Sequence, residues 1–262
     1  MNRREFVAIS MILGLFAIFR QELWAEALKR LDPTLVRYSG PLLAKIQDLL
    51  SRMDQGLISP ESVVSQLATW YAQHDLDKEF SQWYPEVRTD GTKHFYLIKS
   101  GDNPNGSFFT MDMHYIPAKT SIPPHTHHDF LSTHVVLRGE VLLRQWERSL
   151  DRSGLANNQY RIYYPKGQQA DTLLKGGDAF LATELQTNGH FFSAGDEPVL
   201  IFNFQATHVP GVDFNDVHIE IRDYFDLSKG ELDSSGNLVV SSMSEDEAYA
   251  TYAPHQISQY KR

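Results

Sequence analysis

Two hydrophobic periods divide the chain. Leu42, Leu43, Ile46, Leu49, Leu50 and Met53 recur at intervals of three and four, which places them on one face of a helix. Ser59-Pro60-Glu61 predicts the start of a second helix, with serine as cap and proline in the first turn. Val63, Val64, Leu67, Trp70 and Tyr71 form its apolar face. A third, shorter segment carries Leu76, Phe80 and Trp83 and is expected to end before Pro85. From His94 onward the period drops to two. HFYLIK and SFFTMDMHYI, separated by the turn signal Asn103-Pro104-Asn105-Gly106, read as a hairpin, and LSTHVVLR and EVLLRQWE form a second pair around Gly139. QYRIYYP, DTLL, AFLATE, HFFSA and PVLIFNFQ follow, punctuated at Pro165-Lys166-Gly167, Gly176-Gly177-Asp178 and Gly195-Asp196-Glu197. Many short strands at close spacing predict a mainly β fold, a closed barrel or double-sheet jelly roll capped by the preceding helices.

The ends of the chain follow neither pattern. Arg3-Arg4 precedes an apolar run over residues 8–19, and Ala25-Glu26-Ala27 supplies an A-x-A cleavage pattern. Together they read as a twin-arginine export signal over residues 1–27, with a periplasmic or otherwise exported product and the twin-arginine translocase as partner. An uncleaved membrane anchor is the alternative, although the run is short against the roughly 20 apolar residues of a spanning helix. The expected organisation is therefore a signal peptide at 1–27, a helical segment at 28–90, a β-barrel at 91–222 and a polar tail at 223–262 that wraps the surface.

Charge and cysteine content narrow the chemistry. A net charge of −9, from 24 basic and 33 acidic residues with no basic run, argues against nucleic acid as a partner. With no cysteine, disulfides and thiolate metal sites are excluded.

Histidine is where the chemistry concentrates. Four of the eleven histidines fall between Ser121 and Val141, two of them as His125-Thr126-His127. Alternate residues of a strand share a face, so both imidazoles point one way and supply half of a metal site. His190 is the candidate for the other half. His134 shares strand parity with Ser132, which makes it a candidate extra ligand or a donor behind the ligands. His128 has the opposite parity to His127, and His208 sits in a predicted loop before Val209-Pro210-Gly211. Tyr115 and Trp146 are candidate pocket residues, with core packing as the simpler alternative.

His125 and His127, followed after eleven residues by Gly139, resemble the first signature of the cupin family. Gly177-Asp178, His190 and Gly195-Asp196-Glu197-Pro198 resemble the second, with a longer gap before the histidine. The resemblance covers about residues 94–206 and implies a single cupin jelly-roll barrel, often paired as a homodimer. Where most metal-binding cupins carry a glutamate ligand, this chain has Ser132. That departure is similar to the three-histidine thiol dioxygenases, such as cysteine dioxygenase, in which Fe(II) and O2 convert a small thiol to a sulfinate. By resemblance His125, His127 and His190 hold the iron. The family's substrate-binding arginine finds its nearest equivalent in Lys99, and its tyrosine and histidine late in the barrel fall near Asn203 and Gln205.

Three functions follow as expectations. The first is an exported Fe(II) dioxygenase acting on a small thiol or related substrate. The second is a Mn- or Zn-dependent lyase, isomerase or decarboxylase, and the third a barrel that binds a small ligand without catalysis.

Overall fold

The computed structural model describes residues 33–90, 94–100, 108–127, 130–149, 151–164, 171–183, 188–207 and 222–252. The export segment, the turn at Asn103-Gly106, His128 and His208 lie outside the described residues. Among those described, no helix is long and apolar enough to cross a membrane.

Helices α1 (Pro41–Asp54) and α2 (Pro60–Tyr71) form where the periodicity places them. Ser59 caps α2, its hydroxyl accepting from the Ser62 amide at 3.3 Å. Asp75 caps α3 (Leu76–Phe80) in the same way, accepting from the Lys78 amide at 3.0 Å. The expected stop before Pro85 does not occur. A 3-10 turn over Ser81–Trp83 leads into α4 (Tyr84–Asp90), and Pro85 is the second residue of that helix. Amides of a first turn have no intrahelical acceptor, so proline forfeits no bond there.

Fourteen described strands follow the helices or flank them. They are β1 (Pro33–Val36), β2 (Phe95–Ser100), β3 (Phe108–Ile116), β4 (Ser121–His127), β5 (Phe130–Arg138), β6 (Glu140–Arg148) and β7 (Gln159–Tyr163). Then come β8 (Thr172–Lys175), β9 (Ala179–Thr183), β10 (Gly189–Ala194), β11 (Val199–Thr207), β12 (Arg222–Phe225), β13 (Glu231–Leu232) and β14 (Leu238–Met243), before α5 (Glu245–Tyr252). One sheet runs β1-β2-β3-β11-β5-β9, and the other contains β4, β10, β6 and β8 side by side. The two sets β3-β11-β5-β9 and β4-β10-β6-β8 have the strand order of a double Greek-key jelly roll. The mainly β architecture with helices expected from the sequence is the one adopted.

The first sheet is covered on both faces, so its strands do not alternate apolar with exposed. On β3, Phe109, Met111 and Met113 join α1–α4 in one core cluster, while Thr110, Asp112 and His114 point the other way. Phe202 of β11 is fully buried, stacks on Phe80 at 4.9 Å and meets Tyr71 edge-on at 6.1 Å. Each such aromatic contributes roughly 1.5–3 kcal/mol relative to exposure, so the helices are an integral layer. Tyr71 also bonds the buried Thr133 hydroxyl at 2.6 Å, tying α2 to β5.

The C-terminal reading is corrected. Residues beyond 222 do not simply wrap the surface: β12 pairs with β4, β14 with β12 and β7, and β7 with β6. With β6–β10 and β10–β4, these pairings close a ring of six strands around Trp146, Ile162, Phe225 and Val240. The segments RDYF and LVVSSM are short and each part polar, so neither stands out as a strand from the polar residues around it.

Candidate metal centre

Strand register brings the histidines together. His125 of β4 lies opposite His190 of β10, and Tyr224 of β12 lies on its other side. His127, two residues along, faces the same way and pairs with Arg222. All three imidazoles are buried, and one nitrogen from each falls within 4.8 Å of the others. The Nε2 atoms of His125 and His190 are 3.0 Å apart.

Backbone features hold this geometry. Gly139 adopts φ 83°, and a Cβ there would stand 2.6 Å from the Pro198 carbonyl, so only glycine joins β5 to β6 at this point. Gly189 sits under the indole of the fully buried Trp146, where any side chain would collide, and this fixes the approach of His190. The His127 amide donates to Asn188 Oδ1 at 3.0 Å, linking the ligand strand β4 to the start of β10.

The donor chemistry fits a metal ion. His125 Nδ1 is 2.7 Å from the Pro123 carbonyl, which can only accept. The ring proton therefore sits on Nδ1, and Nε2 offers its lone pair. Two imidazole nitrogens each about 2.1 Å from one ion at roughly a right angle would be about 3 Å apart. The space between the rings, about 10 Å³, is room for about one ion or water molecule. Burial pushes the His190 pKa down to about 3 and that of His127 well below the ordinary value, with neighbouring positive charge adding to both shifts. These two rings are thus neutral, as ligands must be.

Around this point the other candidates separate. His134 is buried, stacks on Phe180 at 4.3 Å and lies 5.5 Å from the His190 ring, placing it behind the three. Ser132 Oγ is 3.4 Å from His134 Nδ1, at the long end of contact, and the serine supplies no carboxylate. Asn203 and Gln205 both line the inner space, and Gln205 also lines a larger cavity of about 520 Å³. Lys99 and Tyr115 line neither: Lys99 Nζ lies 5.4 Å above the Tyr96 ring, and Tyr115 packs against the helical core. For Tyr115 the reason is parity, since odd-numbered residues of β3 face the helices. Trp146 belongs to the separate core inside the strand ring.

Sequence reading missed Arg222 and Tyr224. Arg222, partly buried, lines both the inner space and the larger cavity, together with His127 and Gln205. Tyr224 stands 5.7 Å from the His125 ring and donates to Glu245 at 3.0 Å. The signal available was the charged pair Arg222-Asp223 followed by the aromatic pair Tyr224-Phe225, at the junction between the expected barrel and the expected tail. Asp112, His114 and His94 also went unassigned, and they form a second buried polar group on β3 and beside β2. His114 Nε2 is 2.6 Å from Asp112 Oδ1 and His94 Nδ1 is 3.4 Å from Oδ2. Burial pushes the Asp112 pKa up, but the two histidines outweigh it and hold the carboxyl well below its usual range. Burial carries His94 down to about 4.

No family model matches the chain, and no curated protein sequence does. Solved structures similar to it include the Cnp3 cupin domain of Schizosaccharomyces pombe, at 15% identity and a TM-score of 0.29, covering 44% of this chain and 63% of that one. An oxalate oxidase matches at 22% identity and TM-score 0.28, over 40% of this chain and 44% of the other. The DMSP lyase DddQ of Ruegeria pomeroyi matches at 14% and 0.28, over 42% and 45%. The chain thus spans less than two thirds of the length of each of these. At such TM-scores the likenesses decide neither fold nor chemistry, and the jelly roll rests on the strand order.

The neutral imidazoles set a pH dependence. Unfolded histidines take up protons below about pH 6.5, whereas folded His190 does so only near 3. The metal-free protein should therefore keep this stability above pH 6.5 and lose it as pH falls toward 3. The loss for His190 alone is on the order of 2 kcal/mol by about pH 5. Urea unfolding at several pH values should show the decline, and His190→Gln should flatten it. Equal slopes in the two proteins would contradict the neutral assignment.

Proposed function

We propose that the chain is a metal-dependent cupin-type enzyme, an Fe(II) dioxygenase that uses O2 on a small carboxylate-bearing substrate, with small thiols the first class to examine. The observation that carries this is the meeting of three buried imidazoles around a space of about 10 Å³. His125, His127 and His190 would hold the ion. Three neutral ligands leave its charge at +2 and positions open for exchangeable partners. Ferrous iron, when bound, supplies the one-electron chemistry that O2 needs to react with an organic molecule. Manganese or zinc fits the same nitrogens.

The chain's own residues shape the rest. The cavity of about 520 Å³ meets the inner space at His127, Gln205 and Arg222, so a small molecule there approaches the ion from that side. Arg222 offers a planar pair of donors for a carboxylate, the role the sequence had left to Lys99. Tyr224 lines the same cavity and provides a phenol beside His125, where Asn203 and Gln205 offer none. That phenol also favours a second reading, a Mn- or Zn-dependent lyase, isomerase or decarboxylase in which Tyr224 moves a proton to or from the substrate.

Metal content and oxygen uptake test the proposal. The purified protein should contain iron that is lost in a His125→Ala/His127→Ala double variant, and oxygen consumption over a panel of small thiols and organic acids should be lost with it. Arg222→Met should raise KM by about ten- to a hundredfold, the loss expected for a charged hydrogen bond, while leaving the iron in place. Manganese or zinc lost from the double variant would favour the second reading. A protein that binds no metal would leave only a ligand-binding barrel.

Export belongs to the same proposal, resting on Arg3-Arg4 and the apolar residues 8–19. Arg3→Lys/Arg4→Lys should hold the full-length protein in the cytoplasm of a host with a working translocase. Unchanged export in fractionated cells would remove the twin-arginine assignment.

A further inference from the structure

A second donor set stands in the wall of the same barrel. Asp112 and His114 alternate along β3 and share its inward face, and His94 reaches them from the neighbouring strand, just ahead of Phe95, which pairs with Met113. One atom from each, two imidazole nitrogens and a carboxylate oxygen, lies within 4.8 Å of the other two. Asp112 is 1% exposed and His114 7%. His94 and Asp112 both line the cavity of about 520 Å³.

The details of the contacts suit a shared cation. His114 Nε2 is 2.6 Å from Asp112 Oδ1, yet this buried nitrogen makes no hydrogen bond. The two atoms therefore lie side by side, with the acid off the ring's N–H axis, as two ligands of one ion do. Beyond that contact, His94 Nδ1 lies 3.4 Å from Oδ2 and the Asn203 amide reaches the oxygens at 3.3 and 3.4 Å, all at the long end of a hydrogen bond. A buried carboxylate with such thin hydrogen bonding is costly unless a positive charge is shared with it.

We propose that His94, Asp112 and His114 form a second metal site, separate from the three-histidine position, for a divalent first-row transition ion. Two imidazoles and one carboxylate suit Zn²⁺, Fe²⁺, Mn²⁺ or Co²⁺, whereas Ca²⁺ and Mg²⁺ require mainly oxygen ligands. Because His94 and Asp112 line the larger cavity beside Arg222, an ion there adds positive charge to the wall a substrate would meet. The site does not depend on the identity of the ion at His125, His127 and His190, or on the presence of one.

Ion counting separates the two sites. Chelator-stripped full-length protein is reloaded with Zn²⁺, freed of loosely bound ion by gel filtration, and measured by inductively coupled plasma mass spectrometry. The expected counts are two ions per chain for the wild type, one for His125→Ala/His127→Ala and one for Asp112→Asn, which keeps the shape of the side chain. Equal counts for the wild type and Asp112→Asn overturn the second site, whatever the total. A wild-type count of one that stays one in His125→Ala/His127→Ala and falls to zero in Asp112→Asn keeps the second site and removes the first. If Asp112→Asn loses both ions, His94→Gln decides, because it leaves Asp112 and Asn203 in place: one ion supports the site, and any other count overturns it.

Discussion

The pairing of β4 with β10 is the constraint on which the centre depends. Setting His125 opposite His190, with His127 two residues further on the same face, puts three imidazoles into one buried space. Imidazole tolerates this burial only in its neutral form, and at 3.0 Å the Nε2 atoms of His125 and His190 are within reach of one shared hydrogen bond. A bound cation would instead draw on a lone pair from each ring. The surrounding structure keeps the register: Asn188 holds the amide of His127, Trp146 leaves room only for glycine at 189, and Gly139 makes the tight return between β5 and β6.

The layers outside the barrel serve the same end. The first sheet carries apolar side chains toward the helices and polar ones toward the interior, so Asp112, His114, Asn203 and His134 are presented inward by a wall stiffened from behind. On the other side β12 completes the site. It lays Arg222 beside His127 and Tyr224 beside His125, giving the cavity a cation and a phenol next to the imidazoles.

What could be read from the sequence was local. Period-two spacing in Ser121–Val141, the His127-to-Gly139 interval and the helical stripe from Leu42 to Met53 each lie within one element or one hairpin, and each matches the structure. His190 was reachable because glycine-rich turns frame it. Arg222 was not, because its relation to His127 is a strand pairing across almost a hundred positions that no spacing encodes. The reverse error befell Lys99, nominated by resemblance, whose Nζ lies over the Tyr96 ring, and Tyr115, which stands on the helix-facing side of its strand. Asp112 and His114 carried a usable signal, polar residues at alternate positions of an otherwise apolar strand, which is costly in a core unless those groups have a task.

An anomalous difference map from crystals of the metal-loaded protein, collected at the absorption edge of the bound metal, tests the central claim most directly. The account predicts a peak in the space between His125, His127 and His190, within about 2.3 Å of a nitrogen of each. A map with no peak there, in crystals whose protein carries stoichiometric metal elsewhere, would contradict it.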